Sequence, residues 1–277
     1  MRTEIRCGVV LPGGSATEQM EQAVLAEESG WDGVFVWEAA YGVDAWSLLA
    51  AMAVRTTRVT IGTLLTPLPW RRPWKVASQV ATVDQLSGGR VVVTVGIGAV
   101  MDDLPSTGEE TGVKERAERL DEGIDLMRTL WEGGTSYHGR FYDYDAGPLD
   151  ELASMGAPLR PRVPIWVVGV WPRPKSMRRA LRCEGVVPQF GGTDDATPED
   201  ARAVRAWLDA RGGSAIDLTA EGETPADDPG SARAVVAAWA EAGCTWWLET
   251  NWEMPHGTPE RMRQVRDRLA AGPPRPA

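Results

Sequence analysis

The sequence predicts an α/β fold, a (β/α)8 TIM barrel with an insertion after strand 4, and three observations carry that prediction. Short β-branched runs alternate with longer helical patterns, the order is strand then helix eight times over, and 277 residues is close to the roughly 250 that such a barrel uses. Parallel strands joined by right-handed crossovers over this many repeats usually close, and a doubly wound open sheet is the competing architecture. No linker interrupts the pattern. Residues 1–277 therefore read as a single domain, with the insertion at approximately 99–163.

Residues 7–11 form the first expected strand, stopped by Pro12-Gly13-Gly14. The first helix is expected over 17–29, capped by Thr17, with Met20, Ala23, Val24 and Leu25 as its apolar face. Strands are expected at 33–37, 59–65 and 91–95, with helices at 44–54 and 74–86; Ser87-Gly88-Gly89 is the stop after the second of these helices. Residues 99–112 are polar and irregular, and they precede an amphipathic helix over 113–131. A loop of that length after a barrel strand reads as a lid or binding loop, and 137–145 alternates like a hairpin, so this whole stretch is expected to lie over the pocket end. The last four units are expected as strands at 165–170, 185–189, 216–220 and 245–249, with helices at 174–183, 198–211, 229–242 and 259–271.

A formal charge of −10 argues against nucleic acid as the main partner, because phosphate backbones need a concentrated Lys/Arg surface. The three cysteines, Cys7, Cys183 and Cys244, lack metal-like spacing and cannot all pair, which predicts free thiols, no metal and a cytoplasmic setting. No window approaches 18 continuous apolar residues, so no membrane partner is expected. By analogy with related barrels, and not from the residues alone, exposed apolar residues on the early helices suit a homodimer.

In such a barrel the reactive face is built from the residues just after each strand. Here that set holds no Ser/His/Asp arrangement and no candidate thiolate. It offers small residues, Gly96, Gly98 and Gly169, that let a planar ligand approach backbone, and aromatics, Trp37, Trp171 and Trp252, that flank a ring. A redox cofactor supplies the reactivity that such a site lacks. Glu38, directly after Val-Phe-Val-Trp, points into the mouth as an acid/base candidate; a structural ion pair is the other reading, and Glu249 has the same two. Val168-Gly-Val-Trp-Pro-Arg-Pro-Lys-Ser176 places Arg173 or Lys175 at a helix start, where either would meet a phosphate or simply solvate a helix turn. The two histidines, His138 and His256, read as solvated loop residues.

These residues carry a resemblance. Trp31-Asp-Gly-Val-Phe-Val-Trp-Glu38, Thr63-Leu-Leu-Thr-Pro-Leu-Pro-Trp-Arg-Arg-Pro-Trp-Lys75, Asp84-Gln-Leu-Ser-Gly-Gly-Arg90, Val95-Gly-Ile-Gly98, the helix Arg119 to Trp131, Pro164-Ile-Trp-Val-Val-Gly169 and Ala242-Gly-Cys-Thr-Trp-Trp-Leu-Glu249 resemble the luciferase-like monooxygenase superfamily, in order and over essentially the whole chain. The resemblance implies an oxidoreductase or monooxygenase that binds FMN or F420 and acts on a small organic substrate. By position it implies cofactor contacts at Thr66, Gly98, Gly169, Val170 and Trp171, a phosphate contact at Arg173, and a substrate pocket with Trp37, Glu249 and Trp252. Many relatives carry a histidine just after strand two. Here the chain runs Trp37-Glu38-Ala39-Ala40-Tyr41, which leaves Glu38 and Tyr41 as the residues placed to do catalytic acid/base work. The alternative is a luciferase-like barrel that binds a small molecule without flavin turnover.

Overall fold

The computed structural model describes residues 4–99, 108–109, 111–147, 156–160, 162–190, 196–250 and 258–276. In chain order the elements are β1 (Arg6–Val10), α1 (Ala16–Glu28), β2 (Gly33–Val36), α2 (Ala45–Arg55), β3 (Thr60–Pro67), α3 (Pro73–Ser87), β4 (Val91–Gly96) and α4 (Val113–Trp131). A hairpin of β5 (Ser136–His138) and β6 (Asp143–Asp145) follows. The chain continues through β7 (Ile165–Trp171), α5 (Pro174–Ala180), β8 (Gly185–Phe190), α6 (Pro198–Asp209), β9 (Asp217–Gly222), α7 (Pro229–Glu241), β10 (Trp246–Glu249) and α8 (Pro259–Ala270). The eight long-range strands pair in parallel and close in the order β1-β10-β9-β8-β7-β4-β3-β2, so the expected barrel is the observed one.

Alternation along each strand divides the core in two. Outward residues pack beneath the helices, while Val10, Phe35, Val92, Trp166, Val187, Trp246 and Leu248 fill the barrel itself. Three large rings dominate that interior: Phe35 stacks on Trp166 with centroids 5.4 Å apart, and Trp246 meets Trp166 edge-on at 5.4 Å. Glycines make room for them. A Cβ on Gly8 would lie 2.9 Å from Phe35 and 3.0 Å from Leu248, both buried. Gly8→Ala is accordingly expected to destabilise by about 1–3 kcal/mol through overpacking, read from the urea midpoint at an unchanged denaturant slope.

Caps and turns explain the boundaries, with one correction. Ser15, not Thr17, caps α1, closing a capping box with Glu18. The buried face of α1 is also shifted, to Gln19, Gln22, Ala23 and Ala26, and Gln19 is accommodated there by donating to the Gly14 carbonyl at 3.0 Å. Gly88 ends α3 in the left-handed region at φ 67°, as a C-terminal glycine does. Two departures from regular pairing occur towards the strand ends. The β3–β4 register shifts between Thr63 and Thr66, and the β8–β9 ladder is recorded only at Gly185 with Asp217 and Val186 with Leu218.

The hairpin docks on α4. Glu122 accepts hydrogen bonds from the N–H groups of Phe141 and Tyr142, the latter at 2.8 Å, while Tyr144 packs beside Trp74. These contacts, among the described residues, are to the helical layer rather than to the strand ends above which the stretch was expected. His138 is exposed and pairs with Asp143 across the hairpin at 2.7 Å.

Candidate active site

Glu38 leaves the end of β2 with its side chain 8% exposed. One carboxylate oxygen accepts from the Thr66 hydroxyl at 2.8 Å, and the other pairs with Arg71. Arg71 reaches back because a single 3-10 turn, Leu68–Trp70, follows β3; its second nitrogen donates to Gln79 at 2.8 Å. Burial pulls the Arg71 guanidinium below its usual range. The structure thus brings Glu38 and Thr66 together and adds Arg71, which no sequence signal singled out.

Beside this cluster, Gly98 has φ +80°, and a Cβ there would stand 2.6 Å from the Trp70 ring. Arg116 of α4 holds the same turn, donating to the carbonyls of Ile97 at 2.9 Å and Gly98 at 2.7 Å. Its guanidinium lies 5.5 Å from the Trp70 ring centroid. Trp37 is half-buried at the end of β2.

The end of β7 departs from expectation. Its inward residues are Trp166 and Val168, which puts Gly169 and Trp171 on the helix side. A Cβ on Gly169 would meet Met177 Sδ and Val186 Cγ2 at 3.0 Å each, so this glycine admits α5 rather than a planar ligand. The Val170 N–H already donates to the Ser176 hydroxyl at 2.9 Å. Trp171 sets its ring edge-on to Trp207 of α6 at 6.3 Å. Arg173 is exposed at the start of α5.

Two further expectations need correction. Tyr41 is 95% exposed, and a side chain so placed in water is not positioned beside the buried Glu38 carboxylate. Glu249 is 1% exposed and fully engaged: it accepts from the Thr224 N–H at 2.6 Å, the Thr224 hydroxyl at 2.7 Å and Trp247 Nε1 at 3.1 Å, and pairs with Arg268 at 3.4 Å. Of its two readings the structural ion pair is the observed one. Trp252 and His256 lie outside the described residues.

One inward carboxylate was passed over. Glu221 follows Thr219 along the inner side of β9, and both line a cavity of about 610 Å³ with Gln189. Glu221 is exposed to that space, and desolvation by the protein around it raises its carboxyl to about 7. The cysteines are unlike this: Cys7, Cys183 and Cys244 are buried and free, with burial raising their thiols to about 12, 11 and 12, so none is a ready nucleophile. Among the described residues there is no group of three metal-ligating side chains and no helix long and apolar enough to cross a membrane.

A closed parallel barrel with aromatic walls, a hydroxyl and carboxylate cluster at β2–β3 and an open cavity at β8–β9 defines a (β/α)8 barrel with its polar groups gathered at the carboxyl ends of the strands. The chain belongs to the luciferase-like monooxygenase family, whose model matches residues 1–272. It is 39% identical over 135 residues to an F420-dependent glucose-6-phosphate dehydrogenase of Amycolatopsis mediterranei (strain U-32), a match covering 45% of this chain and 40% of that protein. The matched stretch is thus under half the relative's length. Among solved structures, an F420-dependent secondary alcohol dehydrogenase in complex with an F420-acetone adduct superposes with a TM-score of 0.73 at 20% identity, covering 97% of this chain and 99% of the other. The monooxygenase RslO1 from Streptomyces bottropensis superposes with a TM-score of 0.74 at 20% identity, covering 96% and 98%. At these identities the two structures speak to the fold.

Proposed function

We propose that the chain is an F420-dependent oxidoreductase acting on a small polar organic substrate, and the observation that carries this reading is its 39% identity to an F420-dependent dehydrogenase. A mouth so poor in reactive side chains supports it, since the hydride chemistry then comes from the bound cofactor. The residues present fit such a group. Thr94 faces the barrel interior two residues below the end of β4, 0% exposed and with its hydroxyl unpartnered, a donor that a ring carbonyl or nitrogen would take. Glu38, fixed by Thr66 and Arg71, holds a hydrogen-bond acceptor at the end of β2, and the aromatic floor of Phe35, Trp166 and Trp246 keeps water from below. Arg173 is the residue proposed to meet the cofactor's phosphate; Gly169 and Trp171 support the wall behind it.

Titration of the purified chain with F420 and with FMN, followed by tryptophan quenching, tests this. F420 is expected to bind more tightly than FMN, and Arg173→Ala is expected to weaken F420 by about 1.5–3 kcal/mol, the scale of a hydrogen bond to a charged group. An unchanged affinity removes the phosphate assignment. A barrel that binds a small molecule without turnover is the second reading, favoured by the exposure of Tyr41 and by the pairing of Glu38 with Arg71. Absence of binding by either cofactor at ~50 µM, ample for typical cofactor sites, would select it.

A further inference from the structure

The barrel wall opens between the ends of β8 and β9. Pro188 has no N–H with which to extend the ladder beyond Val186 and Leu218, and the cavity of about 610 Å³ lies where the two strands part. Its apolar wall is Trp239 and Trp247, and its polar lining includes Gln189, Thr219, Glu221 and Glu223. One of these groups is orphaned within the fold, and a carboxylate stands beside it on the same strand. Thr219 is 1% exposed, and its hydroxyl has no hydrogen-bond partner, a condition that native interiors rarely tolerate. Glu221 is exposed to the cavity and makes no ion pair or hydrogen bond among the described residues, and desolvation raises its carboxyl to about 7. Gln189 and Glu221 line the same opening, and the β9–β10 register places Leu248 beside Glu221 on its other side.

We propose that Thr219, Glu221 and Gln189 form a substrate subsite for a neutral hydroxyl-bearing group, such as a sugar or polyol hydroxyl, and that this subsite rejects a phosphate ester. The hydroxyl donates to the Glu221 carboxylate and accepts from Thr219, with the Gln189 amide as a second donor. A single alcohol group thereby meets both polar atoms that the fold leaves unpartnered. The charges set the preference. Glu221 lines the cavity, and none of its described lining residues is Lys or Arg, so a phosphate placed in this subsite would meet the Glu221 carboxylate with no lining cation beside it. The relatives named for glucose 6-phosphate act on a phosphate ester; this cavity is built for its neutral counterpart. The inference rests on the proposed function only in taking the barrel mouth as the place where substrate binds.

Trp239 and Trp247 report on the cavity, so tryptophan fluorescence of the purified chain without cofactor is the assay. D-glucose and glycerol are the probes, and glucose 6-phosphate is the control. Saturable binding is expected for the neutral compounds and none for the phosphate ester at equal concentration. Glu221→Gln and Thr219→Val are each expected to weaken glucose at least fivefold without lowering Tm, because each removes a group that the empty fold leaves unpaired. Wild-type affinity should rise with pH through about 7, as the carboxylate forms, and Glu221→Gln should flatten the profile. Glu223 is the other titratable group on the described lining, and Glu223→Gln should keep the profile.

Stability supplies a second readout with its own sign. A carboxyl that keeps its proton in the folded chain after the unfolded chain has lost it makes the fold less stable as pH rises between 4.5 and about 7. Glu221→Gln should therefore melt above wild type at pH 8 and level with it at pH 4.5. No saturable binding of either neutral probe, glucose 6-phosphate binding as well as glucose, or wild-type binding by Glu221→Gln would each overturn the subsite. Loss of F420 binding with glucose binding intact sinks the cofactor reading alone, and the converse sinks this inference alone.

Discussion

Asp84→Ala is expected to destabilise the fold by about 3–5 kcal/mol, the loss seen when one member of a buried charged pair is removed. Asp84 is 0% exposed near the end of α3. It accepts from the Leu159 N–H at 2.8 Å, from Arg160 Nε at 3.0 Å and from Arg160 Nη2 at 2.7 Å, and Arg160 also donates to the Val91 carbonyl at the start of β4. One carboxylate thus ties α3 and β4 to the chain just before β7, joining parts of the barrel far apart in sequence. Alanine leaves these donors facing a hole. The measurement is urea unfolding of Asp84→Ala, Arg160→Ala and the double variant. The double variant should be less destabilised than the sum of the singles, since the second change removes a group already orphaned by the first. The Arg160 side chain is 30% exposed, so a loss below about 1 kcal/mol would mean that water replaces its partner and that the pair behaves as a surface bridge.

Asp84 shows what the sequence made legible and where it stopped. The segment Asp84 to Arg90 stood out as a family mark, but its purpose is structural: Asp84 holds Arg160, Gly88 caps α3, and Arg90 donates to the carbonyls of Ala53 at 2.9 Å, Thr56 at 2.8 Å and Val59 at 2.7 Å, closing the end of α2. Strands and helices were readable because apolar period, Pro and Gly punctuate them locally. The mouth was not, because a list of strand-end residues ignores which side of the strand each one occupies. Gly169 stands one position from Val168 and Trp171 three, and an odd offset along a strand moves each from the pocket to the helix layer. Glu38, singled out by its place after β2, and Thr66, singled out through the resemblance, do meet, whereas Arg71 depends on a 3-10 turn whose path no local pattern gives. Glu221 is the reverse case: its place at the end of a strand was plain, but that it has no ion pair among the described residues is a property of the assembled barrel.

The same assembled context decides Glu249, where the second large loss is expected: Glu249→Ala should destabilise by about 3–5 kcal/mol. Its carboxylate shares β10 with Trp247, whose indole N–H it accepts, and both face the helices because Trp246 and Leu248 take the interior. Alanine would leave unsatisfied the Thr224 N–H, the Trp247 indole and Arg268, a residue 8% exposed whose guanidinium also lies 4.9 Å from the Trp31 ring centroid and donates to the Gly272 carbonyl at 2.8 Å. Removing this carboxylate therefore loosens β10, the β9–α7 connection and α8 together. Glu249→Gln should cost less, because the amide oxygen still accepts from Thr224. Thermal unfolding of both variants, with Arg268→Ala beside them, measures the order. Binding at low temperature then separates structure from function. Folded Glu249→Ala should bind cofactor and glucose as wild type does, since its carboxylate faces the helices; a folded variant that had lost either ligand would put Glu249 back among the residues of the mouth.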